Sequence, residues 1–258
     1  MLYIEDLEVE LEGKRILRHI DLEIKPGETH VLFGPNGSGK TSLLMTIMGY
    51  PQFKVVGGKI LFKGQDITNM PINERASLGI GMSYQRPPTI NGLKTRQMVK
   101  ICSKNKEEDE DKTVELAKRV NFVDFLDRDV NAGFSGGEIK RSELLQLMAQ
   151  NADLMLFDEP ESGVDLENIT LVGNSIAELL EKQIRPENEK SIIRQKQARS
   201  KMGLIITHTG YILDYIIADK GQVLYDGVLS CTTNPREILN CIGQMGYKEC
   251  VRCIVDKN

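Results

Sequence analysis

One stretch of eight residues limits what this chain can fold into more than any other feature. Gly34-Pro35-Asn36-Gly37-Ser38-Gly39-Lys40-Thr41 fits the pattern GxxxxGK[ST]. The apolar run Val31-Leu32-Phe33 precedes it, and helix-period residues follow from Lys40 to Met48. Strand, glycine-rich loop and helix in that order make a phosphate-binding unit. The glycines let backbone N–H groups converge on phosphate oxygens at a helix N-terminus, where the dipole also favours negative charge. Lys40 is expected to hold the β- and γ-phosphates, and Thr41 to place its hydroxyl on Mg²⁺. Strand–helix units of this kind build a parallel sheet covered by helices, so an α/β fold is expected.

The rest of the chain reads as one domain with an insertion. Residues 2–11 and 16–24 alternate as strands, broken by Gly13 and by Pro26-Gly27, as in an antiparallel flap to which residues 59–64 return. Between Pro87 and Asn151 strand signals thin out. An acidic run occupies 107–111, and helical spacing appears in Val114, Ala117 and Val120, then in Leu144, Leu147 and Met148. An inserted α-helical subdomain is expected there. Strand–helix alternation resumes with the strand 154–157, a helix at 166–182 and a strand at 204–207. On that helix Leu166, Ile169, Val172, Ile176, Leu179 and Leu180 form one apolar stripe, as packing on a buried sheet requires. A charged stretch, 181–201, interrupts the core. The expected division is a catalytic core from 1–86 and 152–230, a helical subdomain at 87–151 and a C-terminal tail at 231–258.

Composition excludes several functions. A net charge of −4 and a pI near 5.6 lack the basic excess of a nucleic-acid binder. The absence of tryptophan argues against a carbohydrate-binding or strand-stacking surface. No run of 18 apolar residues and no basic-then-apolar N-terminus occurs, so neither membrane insertion nor secretion is expected. Five scattered cysteines suit a reducing compartment, and the expected location is cytoplasmic.

Two more motifs carry chemistry. The apolar run Leu154-Met155-Leu156-Phe157 ends in Asp158-Glu159, which puts adjacent carboxylates at the carboxyl edge of a parallel sheet, where ligands bind. Asp158 suits a water-mediated Mg²⁺ contact, and Glu159 can polarise an attacking water. Phe134-Ser135-Gly136-Gly137-Glu138 precedes a helix beginning near Ile139. Its serine hydroxyl and glycine amides would form a second phosphate-binding surface at a positive helix end. One nucleotide needs one cradle per chain, so two half-sites suggest a head-to-tail homodimer holding two ATP molecules between opposite subunits.

These motifs, in this order and spacing, resemble the ATP-binding-cassette family over about residues 1 to 230. The resemblance implies a P-loop NTPase with ATP and Mg²⁺ as cofactors, and adds Ser42 to the nucleotide-binding set. By the same resemblance Gln85 is the lid glutamine that touches Mg²⁺ and senses a partner protein. His208 is then the switch histidine on the γ-phosphate, and Ser162-Gly163-Val164-Asp165 the loop that crosses the dimer interface. The aromatic residue that the family stacks on adenine is replaced by Leu11, which implies looser base recognition.

The signature with Lys140 to Leu147, the run Glu161 to Asp165, and Thr207 to Gly227 are similar to the SufC-type ATPases of iron–sulfur cluster assembly. Pro160, where a serine is common, and the long 181–201 stretch depart from that pattern. The resemblance implies a SufB- or SufD-like scaffold as partner, reshaped by ATP-driven dimerisation. The alternative is a nucleotide-binding subunit of a membrane importer, which shares the chemistry and differs in partner. Lys140, one turn into the signature helix, is either a gate holding Glu159 away from water or a solvated lysine. Lys190, Arg194, Lys196, Arg199 and Lys201 read as a solvated helix or loop, with binding of nucleic acid or an acidic partner as the alternative. Cys250 and Cys253, with Cys241 nearby, form a CxxC that is a weak metal or iron–sulfur signal.

Overall fold

The computed structural model describes residues 1–103, 110–182 and 198–255. Strands β1 (Leu2–Leu11) and β2 (Lys14–Ile24) form a hairpin closed by Glu12-Gly13. Both turn residues have positive φ, 51° and 77°, as a two-residue turn matching the strand twist requires. β4 (Lys54–Phe62) pairs with the other side of β1, and β5 (Gln65–Asp66) completes an antiparallel sheet of order β2-β1-β4-β5. The expected flap is therefore present. β4 starts before residue 59 because Gly57-Gly58, which reads as a break, is absorbed by a register shift opposite β1.

The second sheet has the order β12-β11-β3-β10-β9-β6. β3 (Thr29–Phe33), β6 (Ile80–Ser83), β9 (Leu154–Asp158), β10 (Met202–Ile206) and β11 (Lys220–Tyr225) are parallel, and β12 (Val228–Thr233) closes one edge antiparallel. β3, β6, β9 and β10 are buried along their whole length, so most of their residues are apolar. Leu32, Leu156, Leu204 and Ile206 point toward α1 (Lys40–Met48) and the flap, packing with Leu43, Ile47, Ile4 and Phe62. Val31, Phe33, Phe157 and Ile205 point the other way, onto Val172, Ile176 and Leu180 of the α6 (Leu166–Leu179) region. Of the predicted stripe, Val172, Ile176 and Leu180 are fully buried and Ile169 and Leu179 half-buried.

Between β6 and β9 come α3 (Thr95–Cys102), α4 (Glu110–Arg119) and α5 (Gly136–Gln150); α2 (Ile72–Leu78) lies before β6. A short ribbon, β7 (Ile90–Lys94) with β8 (Asp129–Val130), also lies in this segment. It has no alternating pattern to betray it, because side-chain bonds hold it: Asp129 accepts from Gly92 N at 2.9 Å and from Lys94 Nζ at 2.8 Å. In the segment expected as a C-terminal tail, residues 231–255 contribute the end of β12 and α7 (Pro235–Val255), whose Pro235 and Ile238 pack on Gly221 of β11. Gly246, at φ 77°, breaks α7 and hides its period.

Part of the charged stretch is not solvated. Lys182 is fully buried and donates to Gly27 O at 2.7 Å and Asp219 Oδ2 at 2.6 Å. Lys201 donates to Asn151 Oδ1 at 2.7 Å and Ala152 O at 2.9 Å, so its expected solvation is corrected. Residues 107–109 of the acidic run and 183–197 of the charged stretch, with Lys190, Arg194 and Lys196, lie outside the described residues, as does the side chain of Cys253. Among the described residues no group of three or more histidine, cysteine, aspartate and glutamate side chains could hold a metal ion, and no helix is long and apolar enough to cross a membrane.

Candidate active site

The parallel strands deliver the predicted residues to one edge. β3 runs into the loop Gly34 to Gly39, and Gly39, at φ 103°, precedes α1 without a side-chain cap. The first N–H groups of α1 are thus left for a ligand. A Cβ on Gly34 would lie 2.2 Å from Leu224 O, so only glycine lets this loop lie against β11. Lys40 folds back over the loop, donating to Gly34 O at 2.8 Å and Pro35 O at 2.9 Å. Burial pulls its pKa below the ordinary lysine value, against the opposing pull of Glu159 and Asp158. The hydroxyl of Ser38 is buried with no partner among the described residues.

Thr41 ties this helix to the end of β9, its Oγ1 donating to Asp158 Oδ2 at 2.9 Å. Asp158 is 2% exposed, and burial raises its pKa even though the Thr41 hydroxyl works against the shift. Its Oδ1 has no partner among the described residues. Glu159 then turns out of the sheet at φ 48°. Its carboxylate is held from two strands: Nε2 of His208, just after β10, lies 2.7 Å from Oε1, and Gln85 Nε2, just after β6, donates to Oε2 at 2.7 Å. The structure therefore gathers Lys40, Thr41, Gln85, Asp158, Glu159 and His208, although they come from four separate parts of the chain.

The Ser135 to Glu138 turn is assembled against a different loop. Ser135 Oγ accepts from Glu138 N at 3.3 Å, and Glu138 Oε2 accepts from Ser135 N at 2.7 Å, a reciprocal cap on α5. Gly137 lies against Asn168, while Asp165 caps α6 through Asn168 N at 2.9 Å. Gly136 touches Gly163 so closely that a Cβ there would stand 1.9 Å from Gly163 O. Gly136→Ala is accordingly expected to push these two loops apart and lower ATP turnover by about tenfold or more, with unchanged binding of a fluorescent ATP analogue. A wild-type rate would show that the contact is dispensable.

Both readings of Lys140 are corrected. It is 2% exposed, and its Nζ donates to Tyr84 O and sits 3.3 Å from Glu143 Oε2. It neither meets solvent nor holds Glu159, because the strand end that carries Gln85 stands over it. Glu143, unnoticed in the sequence, accepts from Tyr84 N at 2.7 Å and Ser83 Oγ at 3.0 Å, and burial raises its pKa. Its one signal is its place one turn after Lys140 on the same helix face. Leu11 ends β1, half-buried beside the hairpin turn.

Residues 17–162 match the family model described as ABC transporter, a span that covers more than half of the chain, including the phosphate loop, the Ser135 to Glu138 turn and Asp158-Glu159. The chain is 36% identical over 236 residues to "Vegetative protein 296" of Bacillus subtilis (strain 168), covering 88% of this chain and 84% of that protein. It is 35% identical over 239 residues to "Probable ATP-dependent transporter SufC" of Escherichia coli (strain K12), covering 88% and 90%. A nucleotide-free ATP-binding cassette from an ABC transporter superposes with a TM-score of 0.75 at 22% identity, covering 97% of this chain and 98% of that one. The fold, the gathered residues and these relatives agree: the chain belongs to the ABC transporter family, as one of its ATP-binding, ATP-hydrolysing cassettes.

Proposed function

We propose that this cassette is the cytoplasmic ATPase subunit of a SufBC- or SufBCD-like iron–sulfur assembly complex, working as an ATP-dependent head-to-tail dimer. The observation that carries the dimer is the separation of the two half-sites onto different loops: Lys40, Thr41 and Glu159 in one, Ser135 to Glu138 in the other. The similarity to SufC supports the choice of partner. In this reading residues 1–86 and 152–230 are the catalytic core, 87–151 the helical subdomain that carries the signature turn, and 231–258 a C-terminal tail.

The N–H groups of Asn36 to Ser42 would cradle the phosphates in the loop that Gly34 and Pro35 open, and Lys40 would exchange its two carbonyls for the β- and γ-phosphates. The donors offered to a cation are all hard oxygens: the Thr41 hydroxyl, the Gln85 carboxamide and the unpartnered Oδ1 of Asp158, a set that fits Mg²⁺. Bound there, Mg²⁺ would neutralise charge developing on the transferred phosphoryl group. Glu159, released from Gln85 and His208, would orient the attacking water, and His208 would turn to the γ-phosphate. Ser135, Gly136, Gly137 and Glu138 would close over the partner's nucleotide, with Asp165 at the interface.

Beside Tyr84 a groove of about 600 Å³, lined by Pro87, Pro88, Met98, Ile101 and Cys102, offers an apolar seat for a partner segment next to Gln85. Affinity capture from the host's soluble and membrane fractions tests the assignment. Stoichiometric recovery of a soluble scaffold protein is expected. Recovery of a polytopic membrane protein would move the function to transport and leave the ATP site unchanged.

A further inference from the structure

One buried carboxyl close to the site has no part in the chemistry above. Past Glu159 and Pro160 the chain turns back inward at Glu161, which is 8% exposed. Its Oε1 accepts from the hydroxyls of Thr207 and of Thr209, the latter at 3.0 Å. These are the two neighbours of His208. Thr207 Oγ1 in turn accepts from Gly210 N at 2.9 Å, and Thr209 Oγ1 from Tyr211 N at 3.3 Å. A single carboxylate oxygen therefore holds both sides of the turn that presents His208.

The other end of Glu161 leads to the signature turn. Its carbonyl accepts from Val164 N at 3.3 Å, and between them Gly163 O presses on Gly136. Contacts thus run without a gap from Gly136 through Gly163 and Glu161 to Thr207, Thr209 and His208. Packing alone does not call for an acid here, since a carboxyl in this place must be desolvated. Burial raises its pKa, and Oε2 has no partner among the described residues.

We propose that Glu161 is a positioning residue for hydrolysis: it sets the place of His208 and makes that place depend on the loop that meets the signature turn. This rests on the reading of His208 as the residue that meets the γ-phosphate. Movement of the signature turn against a partner subunit would then reach His208 of the same chain through two hydroxyl bonds.

Steady-state ATP turnover by the full chain tests this, with binding of a fluorescent ATP analogue and thermal unfolding recorded for each variant. Glu161→Ala is expected to lower kcat about tenfold with KM and analogue affinity within about twofold of wild type. Glu161→Gln keeps an oxygen for both threonines and should recover kcat to within about threefold of wild type. Thr207→Val should resemble Glu161→Ala, and the double variant should be no slower than the slower single one. A wild-type kcat in Glu161→Ala, a Glu161→Gln variant as slow as the alanine, or losses that multiply in the double variant would each overturn the proposal. If Glu161→Ala does not fold, a wild-type kcat in Thr207→Val overturns it. His208→Ala separates the two levels. A wild-type rate there removes the reading of His208 and this inference with it, whereas a slow His208→Ala beside a fast Glu161→Ala removes this inference alone.

Discussion

Replacing Glu159 with glutamine is expected to lower steady-state ATP turnover by about two to three orders of magnitude, the usual worth of a general base. Nucleotide binding should persist. The substitution preserves shape, and the carboxamide oxygen can still accept from Gln85, now 2.7 Å away. The parts that grip the nucleotide stay in place: Lys40 in its loop, Thr41 on Asp158, and the free N–H groups at the start of α1. What disappears is the negative charge that the proposed mechanism uses to draw a proton from water. Uncleaved ATP should then accumulate between paired subunits. Light scattering should therefore report more dimer with the variant and MgATP than with wild type. Turnover near the wild-type rate would exclude Glu159 from the hydrolytic step.

Arg75→Ala is expected to cost about 3–5 kcal/mol of folding stability. The guanidinium is 2% exposed, and all four acceptors given to it are backbone carbonyls: Met70 O at 2.7 Å, Thr46 O at 2.8 Å, and Ile47 O and Thr68 O at 2.9 Å. Burial pulls its pKa down to about 10, which leaves it charged in any ordinary buffer. Thr46 and Ile47 stand in the last turn of α1, whose carbonyl end attracts a cation; Thr46 O also accepts from Gly49 N at 3.1 Å, which closes the helix. Arg75 thus anchors from behind the helix whose front faces the phosphates. Alanine would take this donor away from the carbonyls of Ile47, Thr68 and Met70, and the melting temperature should fall by roughly 10 °C. Lysine should recover only part of this, because one ammonium cannot match a planar fork of donors. A melting temperature within a few degrees of wild type would mean that water replaces the guanidinium.

The phosphate loop, the strand ending in Asp158-Glu159 and the signature turn were legible because each is local: a few consecutive residues specify the backbone and the chemistry together. The helix at Lys40–Met48 and the strand at Leu2–Leu11 fall where their periods put them. Gln85 and His208 are single polar residues after apolar strands, and only the family resemblance drew attention to them. Arg75, Glu143 and Glu161 stayed silent for a different reason. Each is a charged residue whose partners, apart from the Lys140 beside Glu143, are distant in sequence and mostly backbone atoms or hydroxyls, so a linear pattern shows the residue without showing what it holds. Lys140 was misread on the same ground, since its neighbour is the carbonyl of Tyr84. α7 was missed because Gly246 interrupts its spacing.

Glu159 holds its backbone at φ 48°, where a residue with a side chain loses roughly 1–2 kcal/mol relative to an ordinary conformation. Glycine suffers no such loss there, and asparagine suffers less. Laboratory selection of this protein for heat tolerance alone should therefore favour Glu159→Gly or Glu159→Asn, and so enrich robust, idle enzymes. Any breeding scheme that seeks durability has to screen for turnover in every round, because one substitution that relieves backbone strain falls on the residue proposed to orient the attacking water.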